Sequence, residues 1–95
     1  MSALSTRIVI SLGGSLLVPD TIDTDYVKSF KKRIVSEVKA GIHFILRTGG
    51  GKTARRYIEA AGNVSRITDD DKDWLGIHAT RMNAHFIRTV FRAHA

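Results

Sequence analysis

Two glycine clusters are the part of this sequence best suited to binding phosphate groups. Gly49-Gly50-Gly51 is followed at once by Lys52 and then by Arg55, and Gly13-Gly14 is followed by Ser15. Glycines let the backbone approach a ligand because no side chain stands in the way. A helix that begins after such a cluster directs free N–H groups and a positive dipole end towards the same place. Two such loops side by side could hold two phosphates close together, as phosphoryl transfer requires.

The same glycines allow two other interpretations. They could be no more than tight exits from two strands. Gly51-Lys52-Thr53 also resembles part of a P-loop, but that motif needs another glycine five positions before its Gly-Lys-Thr. Leu46 occupies that position, which disfavours a P-loop NTPase. Because there are two clusters and each follows a strand pattern, phosphate binding is favoured over tight turns alone.

The segments before the two clusters have the pattern of buried strands. They run from Arg7 to Leu12 and from Ile42 to Thr48, and both are rich in apolar and β-branched residues. Helical patterns follow each of them, so the order is strand, helix, strand, helix, helix. Crossovers of this kind predict a parallel sheet covered by helices, an α/β fold. Both glycine clusters should then lie at the carboxyl ends of the strands, where ligands bind in open α/β sheets.

Three helices are predicted. The first is capped by Asp23 or Thr24 and ends at Gly41. The second runs from Lys52 to Ala61, with Gly62-Asn63 as its stop. The third follows the acidic stretch Thr68–Asp71 and continues to the last residue. The apolar stripes predicted to face inward are Tyr26, Phe30, Ile34 and Val38 on the first helix, and Leu75, Ala79, Met82, Phe86 and Val90 on the last, widened by Trp74 and Ile77.

Length and composition limit the remaining possibilities. Ninety-five residues make one domain at most. There is no apolar run of about 18 residues, no secretory leader pattern and no cysteine, which fits a cytoplasmic protein. The net charge of +6 suggests an anionic partner, but the basic runs are too short to indicate nucleic acid. The four histidines form no metal-binding pattern, and the Asp69–Asp71 run is interpreted as a helix start, so no metal site is predicted.

Three segments resemble a known family. Ile8 to Leu17 resembles the opening strand and glycine loop of the amino-acid-kinase family. Thr48 to Ala60 resembles the second glycine loop of archaeal-type uridylate (UMP) kinases. Asp73 to Ala84 resembles the segment of those kinases that contacts UMP and builds the subunit interface. The resemblance implies a three-layer αβα, carbamate-kinase-like fold, of which residues 1–95 are the N-terminal part of a single domain, with residues 1–6 flexible and the C-terminal nucleotide-binding half absent.

The resemblance also implies a function. It is the transfer of the γ-phosphoryl group of ATP to UMP, giving UDP for pyrimidine nucleotide biosynthesis, with Mg²⁺ bound through the nucleotide. Homo-oligomers would form through the last helix, as hexamers in full-length members, with no nucleic-acid or membrane partner. Since members of the family are considerably longer than this chain, we expect that the chain alone does not turn over. By resemblance, the ATP-binding residues are Gly14, Ser15, Gly51 and Arg55, and the UMP-binding residues are Gly50 and Asp73.

Some positions remain unassigned by the resemblance. No catalytic residue is named, and Arg81 and Asn83 belong to the UMP motif without a ligand role. Many family members have a lysine where Ser11 stands, and Lys52 is a candidate to compensate for it. Two alternatives stay open: another small-molecule kinase of the family, acting for example on isopentenyl phosphate or an acyl group, or a basic nucleic-acid-binding module, which lacks a matching motif here.

Overall fold

The computed structural model describes residues 6–18 and 21–94, apart from the side chain of His94, and in it each of two strands is followed by two helices. The expected flexibility of residues 1–6 therefore lies, except for Thr6, outside the described residues. The described elements are β1 (Arg7–Leu12), α1 (Gly14–Leu17), α2 (Thr24–Lys39), β2 (His43–Thr48), α3 (Gly51–Val64), α4 (Asp69–Val90) and a final 3-10 turn (Arg92–His94).

The two strands pair in parallel, which confirms the predicted α/β class. Arg7 lies opposite His43, and the register continues to Leu12 opposite Thr48. Because side chains alternate between the faces of a strand, one face of the sheet turns its apolar residues towards the helices. On the other face Val9 and Ile45 are each 55% exposed. Within the described residues, the second helical layer of the expected three-layer arrangement is therefore not present.

One apolar core joins the strands to the helices on the covered face. Leu17 is completely buried, and the rings of Phe30 and Phe91 meet edge to face with centroids 6.2 Å apart. The core therefore ties β1, α1, α2, α4 and the residue after α4 into one unit. Its buried members are Leu12, Leu17, Val27, Ile34, Ile87 and Phe91.

The predicted ends of α3 and α4 are wrong. α3 continues through Gly62-Asn63 and ends at Val64. Gly62 does not have the positive φ of a helix C-terminal glycine, and a glycine inside a helix costs only about 1 kcal/mol, so the helix continues through it. α4 ends at Val90 and does not reach the last residue, because Phe91 leaves the helix and is buried in the core. The short helix α1 is not among the predicted elements.

The predicted apolar stripe of α4 is only partly correct. Ala79 is buried, but Met82 is 69% exposed. The fully buried positions after Ala79 are Asn83 and Ile87, so the inward face is rotated from the predicted one. The prediction missed this rotation because a polar residue, Asn83, occupies a central position of the buried face.

A reciprocal capping box starts α4. The Thr68 hydroxyl accepts a hydrogen bond from the Asp71 N–H (3.1 Å), and the Asp71 carboxylate accepts one from the Thr68 N–H (2.9 Å). The hydrogen bond from the Thr68 backbone, with a further contribution from its side chain, holds the pKa of Asp71 below its ordinary value of 3.8. Because this pKa is lowered by folding, the stabilising contribution of Asp71 is present above pH 3.8 and is lost as the pH falls through the lowered pKa.

Thr68→Ala should lower the free energy of unfolding by about 1 kcal/mol, because an N-cap side chain is lost. For a domain of this size the melting temperature should fall by about 4–8 °C. Thr68→Ser keeps the hydroxyl and should melt close to the unaltered chain in the same circular-dichroism experiment. Equal melting temperatures for the alanine and serine variants at pH 7 would show that the capping box contributes nothing.

Candidate phosphate and acceptor site

The two glycine clusters lie at the same edge of the sheet, as predicted. β1 exits into Gly13, after which α1 begins, and β2 exits into Gly49, after which α3 begins. The Gly49 N–H donates a hydrogen bond to the carbonyl of Leu12 (3.2 Å), so the parallel pairing continues past the end of β1. The carboxyl ends of the two strands, and the glycine clusters that follow them, therefore lie side by side at one edge of the sheet.

Gly14 and Gly51 touch backbone to backbone. A Cβ at Gly14 would lie 2.5 Å from the Gly51 nitrogen, and a Cβ at Gly51 would lie 2.5 Å from the Gly14 carbonyl carbon. Gly51 also has a positive φ of 56°, in the left-handed region that favours glycine. Glycine is thus required at both positions by the contact between the loops, with or without a ligand.

Arg55 and Ser15 link the same two loops through their side chains. The Arg55 Nη2 donates a hydrogen bond to the Ser15 Oγ (3.2 Å), and both side chains are exposed. Gly51 is the first residue of α3, so free N–H groups of that helix point to the same region. The four residues predicted to bind ATP phosphates are therefore together, and they offer a cation, a hydroxyl and N–H donors to an anion.

Gly50 and Asp73, the two residues predicted to bind UMP, line one open cleft of about 690 Å³ between the start of α3 and the first half of α4. Asp73 brings a carboxylate that can accept hydrogen bonds from hydroxyl groups. Two basic side chains also reach the cleft, so it can hold a partly anionic ligand. The complete lining is Gly50, Gly51, Ala54, Lys72, Asp73, Gly76, Ile77, Thr80 and Arg81.

Two hydrogen bonds fasten α4 to the exit of β2. The Asn83 side-chain amide donates to the Gly49 carbonyl (2.7 Å), and the Thr48 hydroxyl donates to the Thr80 carbonyl (3.3 Å). Asn83 is only 6% exposed, and it holds the glycine cluster against the helix that carries Asp73. The sequence left Asn83 without a role, although a polar residue within the periodic apolar pattern of a helix is a signal for such a contact.

Other charged groups lie outside this cleft. Ser11, the position at which the resemblance led us to expect a lysine, is opposite Arg47 in the sheet register, so a basic residue is its neighbour in the sheet. Lys52, the candidate named from the sequence, is exposed at the start of α3. A separate groove on α2 is lined by Lys28, Lys31, Lys32, Val35, Ser36 and Lys39 and shares no residue with the cleft.

The described residues contain neither a cluster of metal ligands nor a helix that could span a membrane. Within residues 6–18 and 21–94, no three His, Cys, Asp or Glu side chains lie close enough to hold a metal ion together. In the same part of the chain, every helix is too short or too polar to cross a membrane.

The chain belongs to the amino acid kinase family, since the sequence profile of that family matches residues 6–95. It is also similar to archaeal uridylate kinases. It is 47% identical to the uridylate kinase of Thermoplasma volcanium over 89 residues, which are 94% of this chain and 38% of that protein. The identity is 38% over 90 residues with the uridylate kinase of Methanocorpusculum labreanum, and 41% over 78 residues with that of Thermococcus kodakarensis. These alignments cover 95% and 82% of this chain but only 37% and 34% of those proteins, so the chain spans about a third of their length.

Gly14→Ala should force the two glycine loops apart, because the new methyl group would overlap the backbone of Gly51. Overpacking of this kind costs about 1–3 kcal/mol in the free energy of unfolding. Gly13→Ala is the matched control, since a Cβ there meets nothing within 4 Å and its φ of −59° suits alanine. Thermal melts of the two variants should differ clearly, and an unchanged melting temperature for Gly14→Ala would contradict the contact.

Proposed function

We propose that this chain forms the phosphate-binding and acceptor-binding part of a UMP kinase, which transfers the γ-phosphoryl group of ATP to UMP and gives UDP and ADP. The observation that carries the proposal is the junction at the start of α3. There the Arg55–Ser15 pair on one side meets the Gly50–Asp73 cleft on the other. A donor phosphate and an acceptor phosphate would therefore approach each other across Gly50-Gly51. The names of the similar archaeal kinases support the same reaction.

Each group has a distinct role in this proposal. Gly14, Ser15, Gly51 and Arg55 hold the ATP phosphates, and Gly50 and Asp73 hold UMP. An oxygen of the UMP phosphate attacks the γ-phosphorus of ATP, and the bond from that phosphorus to the bridging oxygen of ADP breaks. No protein group is joined covalently to phosphate, so the chain contributes alignment and neutralisation of charge.

Mg²⁺ would reach this site on the phosphates of ATP, where it neutralises charge. The described residues fit that arrangement, because the groups at the junction are donors and cations that suit phosphate oxygens. In a protein as long as the similar uridylate kinases, the two thirds that this chain does not span would complete the single domain and supply the adenine pocket. We also propose a cytoplasmic role in pyrimidine nucleotide biosynthesis, with no nucleic-acid or membrane partner.

A chimera tests the function directly. Replacing the matching 89 residues of the Thermoplasma volcanium kinase by this chain should give a protein that converts UMP to UDP with ATP. Arg55→Ala in the chimera should lower kcat/KM by about tenfold or more, because a charge-assisted hydrogen bond is worth about 1.5–3 kcal/mol. Asp73→Asn should act mainly by raising the KM for UMP.

Matched controls separate these effects from changes of surface charge. Arg66→Ala and Asp70→Asn alter exposed residues of the same types that line neither the cleft nor the glycine loops, and both should leave the kinetics within about twofold.

Isopentenyl phosphate offered in place of UMP tests the alternative acceptor. A folded chimera that phosphorylates isopentenyl phosphate but not UMP would contradict the proposed function.

We further propose that α4 mediates homo-oligomerisation, up to the hexamer that the family resemblance implies. Its outer face carries apolar side chains that the described part of the chain does not cover: Trp74 is 51% exposed and Met82 69%. Trp74, His78 and Met82 follow one another at four-residue spacing, and the rings of Trp74 and His78 are in contact, with centroids 6.0 Å apart. In a symmetric pair the same stripe would meet its copy.

Met82→Glu should weaken self-association at least about tenfold without unfolding the chain, because Met82 is exposed and the new charge would be buried in the interface. Phe86→Glu should unfold it, because Phe86 packs against the core. Val64→Glu places the same charge at an exposed apolar position at the end of α3 and should leave association unchanged. Sedimentation at several concentrations measures all three, and equal association of the Met82 and Val64 variants would exclude the outer face of α4.

A further inference from the structure

Gly76 is a glycine that neither the fold nor the packing of the described chain requires. It lies inside the 22-residue helix α4, where alanine would be more favourable. A Cβ at this position meets nothing within 4 Å, and the φ of Gly76 is not positive. Gly14, Gly50 and Gly51 differ, because a Cβ at each would come closer than 3.0 Å to a neighbour.

Gly76 lines the acceptor cleft. Asp73 lies one turn before it and Thr80 one turn after it on the same face of α4, and all three line the cleft. On the other side, the Gly76 carbonyl oxygen would be 3.4 Å from a Cβ at Gly50. The missing side chain therefore leaves bare backbone between the Asp73 carboxylate and the glycine loop.

We infer that Gly76 is a specificity-determining residue of this cleft, and that the sugar ring of the acceptor nucleotide packs on its bare backbone. The inference rests on the proposed function. The Asp73 carboxylate attracts hydroxyl groups and repels phosphate, whereas the start of α3 attracts phosphate. The sugar ring of the nucleotide joins its hydroxyl groups to its phosphate. If the hydroxyl groups lie at Asp73 and the phosphate lies at the start of α3, the ring must lie over Gly76. A methyl group there would occupy the place of the ring.

Gly76→Ala and Gly62→Ala form a matched pair that separates stability from ligand binding. Gly62 also lies in a helix, a Cβ there also meets nothing within 4 Å, and it does not line the cleft. In the 95-residue chain, both substitutions should raise the melting temperature, by about 2–8 °C, because alanine is the better helix former. In the chimera described above, only Gly76→Ala should raise the KM for UMP, by about tenfold or more, which corresponds to about 1.4 kcal/mol.

Binding without turnover gives a second readout. UMP should raise the melting temperature of the Gly62→Ala chimera but raise that of the Gly76→Ala chimera much less. Ribose 5-phosphate, which has the ring without the base, should inhibit the Gly76→Ala chimera about tenfold less well than the Gly62→Ala chimera. Equal inhibition of the two chimeras would overturn the assignment of the ring.

The competing explanation is that another part of a longer polypeptide packs on Gly76. In that case Gly76→Ala would lower the melting temperature of the chimera while the KM for UMP stayed unchanged, and the inference would be wrong. The test also separates this inference from the proposed function. If the unaltered chimera does not phosphorylate UMP, the proposed function fails; if it does and Gly76→Ala has the same KM, only the inference about Gly76 fails.

Discussion

The contact between the backbones of Gly14 and Gly51 is the constraint on which the rest of the site depends. It lets the exits of two parallel strands lie against each other, where any side chain would separate them. The hydrogen bond from Gly49 to Leu12 extends the pairing of the sheet up to this point. As a result, α1 and α3 start next to each other, and Arg55 in α3 reaches Ser15 in α1. The placement of cation and hydroxyl follows from the closeness of the two loops.

The second half of the site depends on α4. One helix carries Asp73 and Gly76, which line the cleft, and the buried Asn83, so the spacing of the three residues is set by helical geometry. Asn83 then fixes this helix to the loop through the Gly49 carbonyl. A buried amide left without that partner would be costly, which makes the contact a strong determinant of how the helix is placed. The proposed phosphate site at Ser15 and Arg55 and the proposed acceptor site at Asp73 are therefore positioned by different elements, and they are joined at Gly50-Gly51.

Sequence patterns predicted the parts of the structure that depend on local chemistry. β1 was predicted with its observed bounds, because a short apolar run followed by glycines leaves little choice, and β2 differed by one residue. The prediction that both glycine clusters lie at one edge of the sheet followed from the parallel direction of the two strands. The ends of the helices were predicted less well. α3 continues through Gly62, whose φ is not positive, and α4 ends where Phe91 enters the core. The role of Asn83 and the bare cleft at Gly76 needed the arrangement in space, since neither contact is local in sequence.

The central claim is that the acceptor cleft and the phosphate loops form one nucleotide-binding site. The most direct test is an NMR titration of the ¹⁵N-labelled chain with UMP, which follows every backbone amide at once. The account predicts that the shifted amides cluster at Gly50, Gly51, Asp73 and Gly76, and that the α2 lysines stay unchanged. Shifts confined to the lysine groove of α2, with none at the glycine loops or the start of α4, would show binding to surface charge alone and would contradict the account.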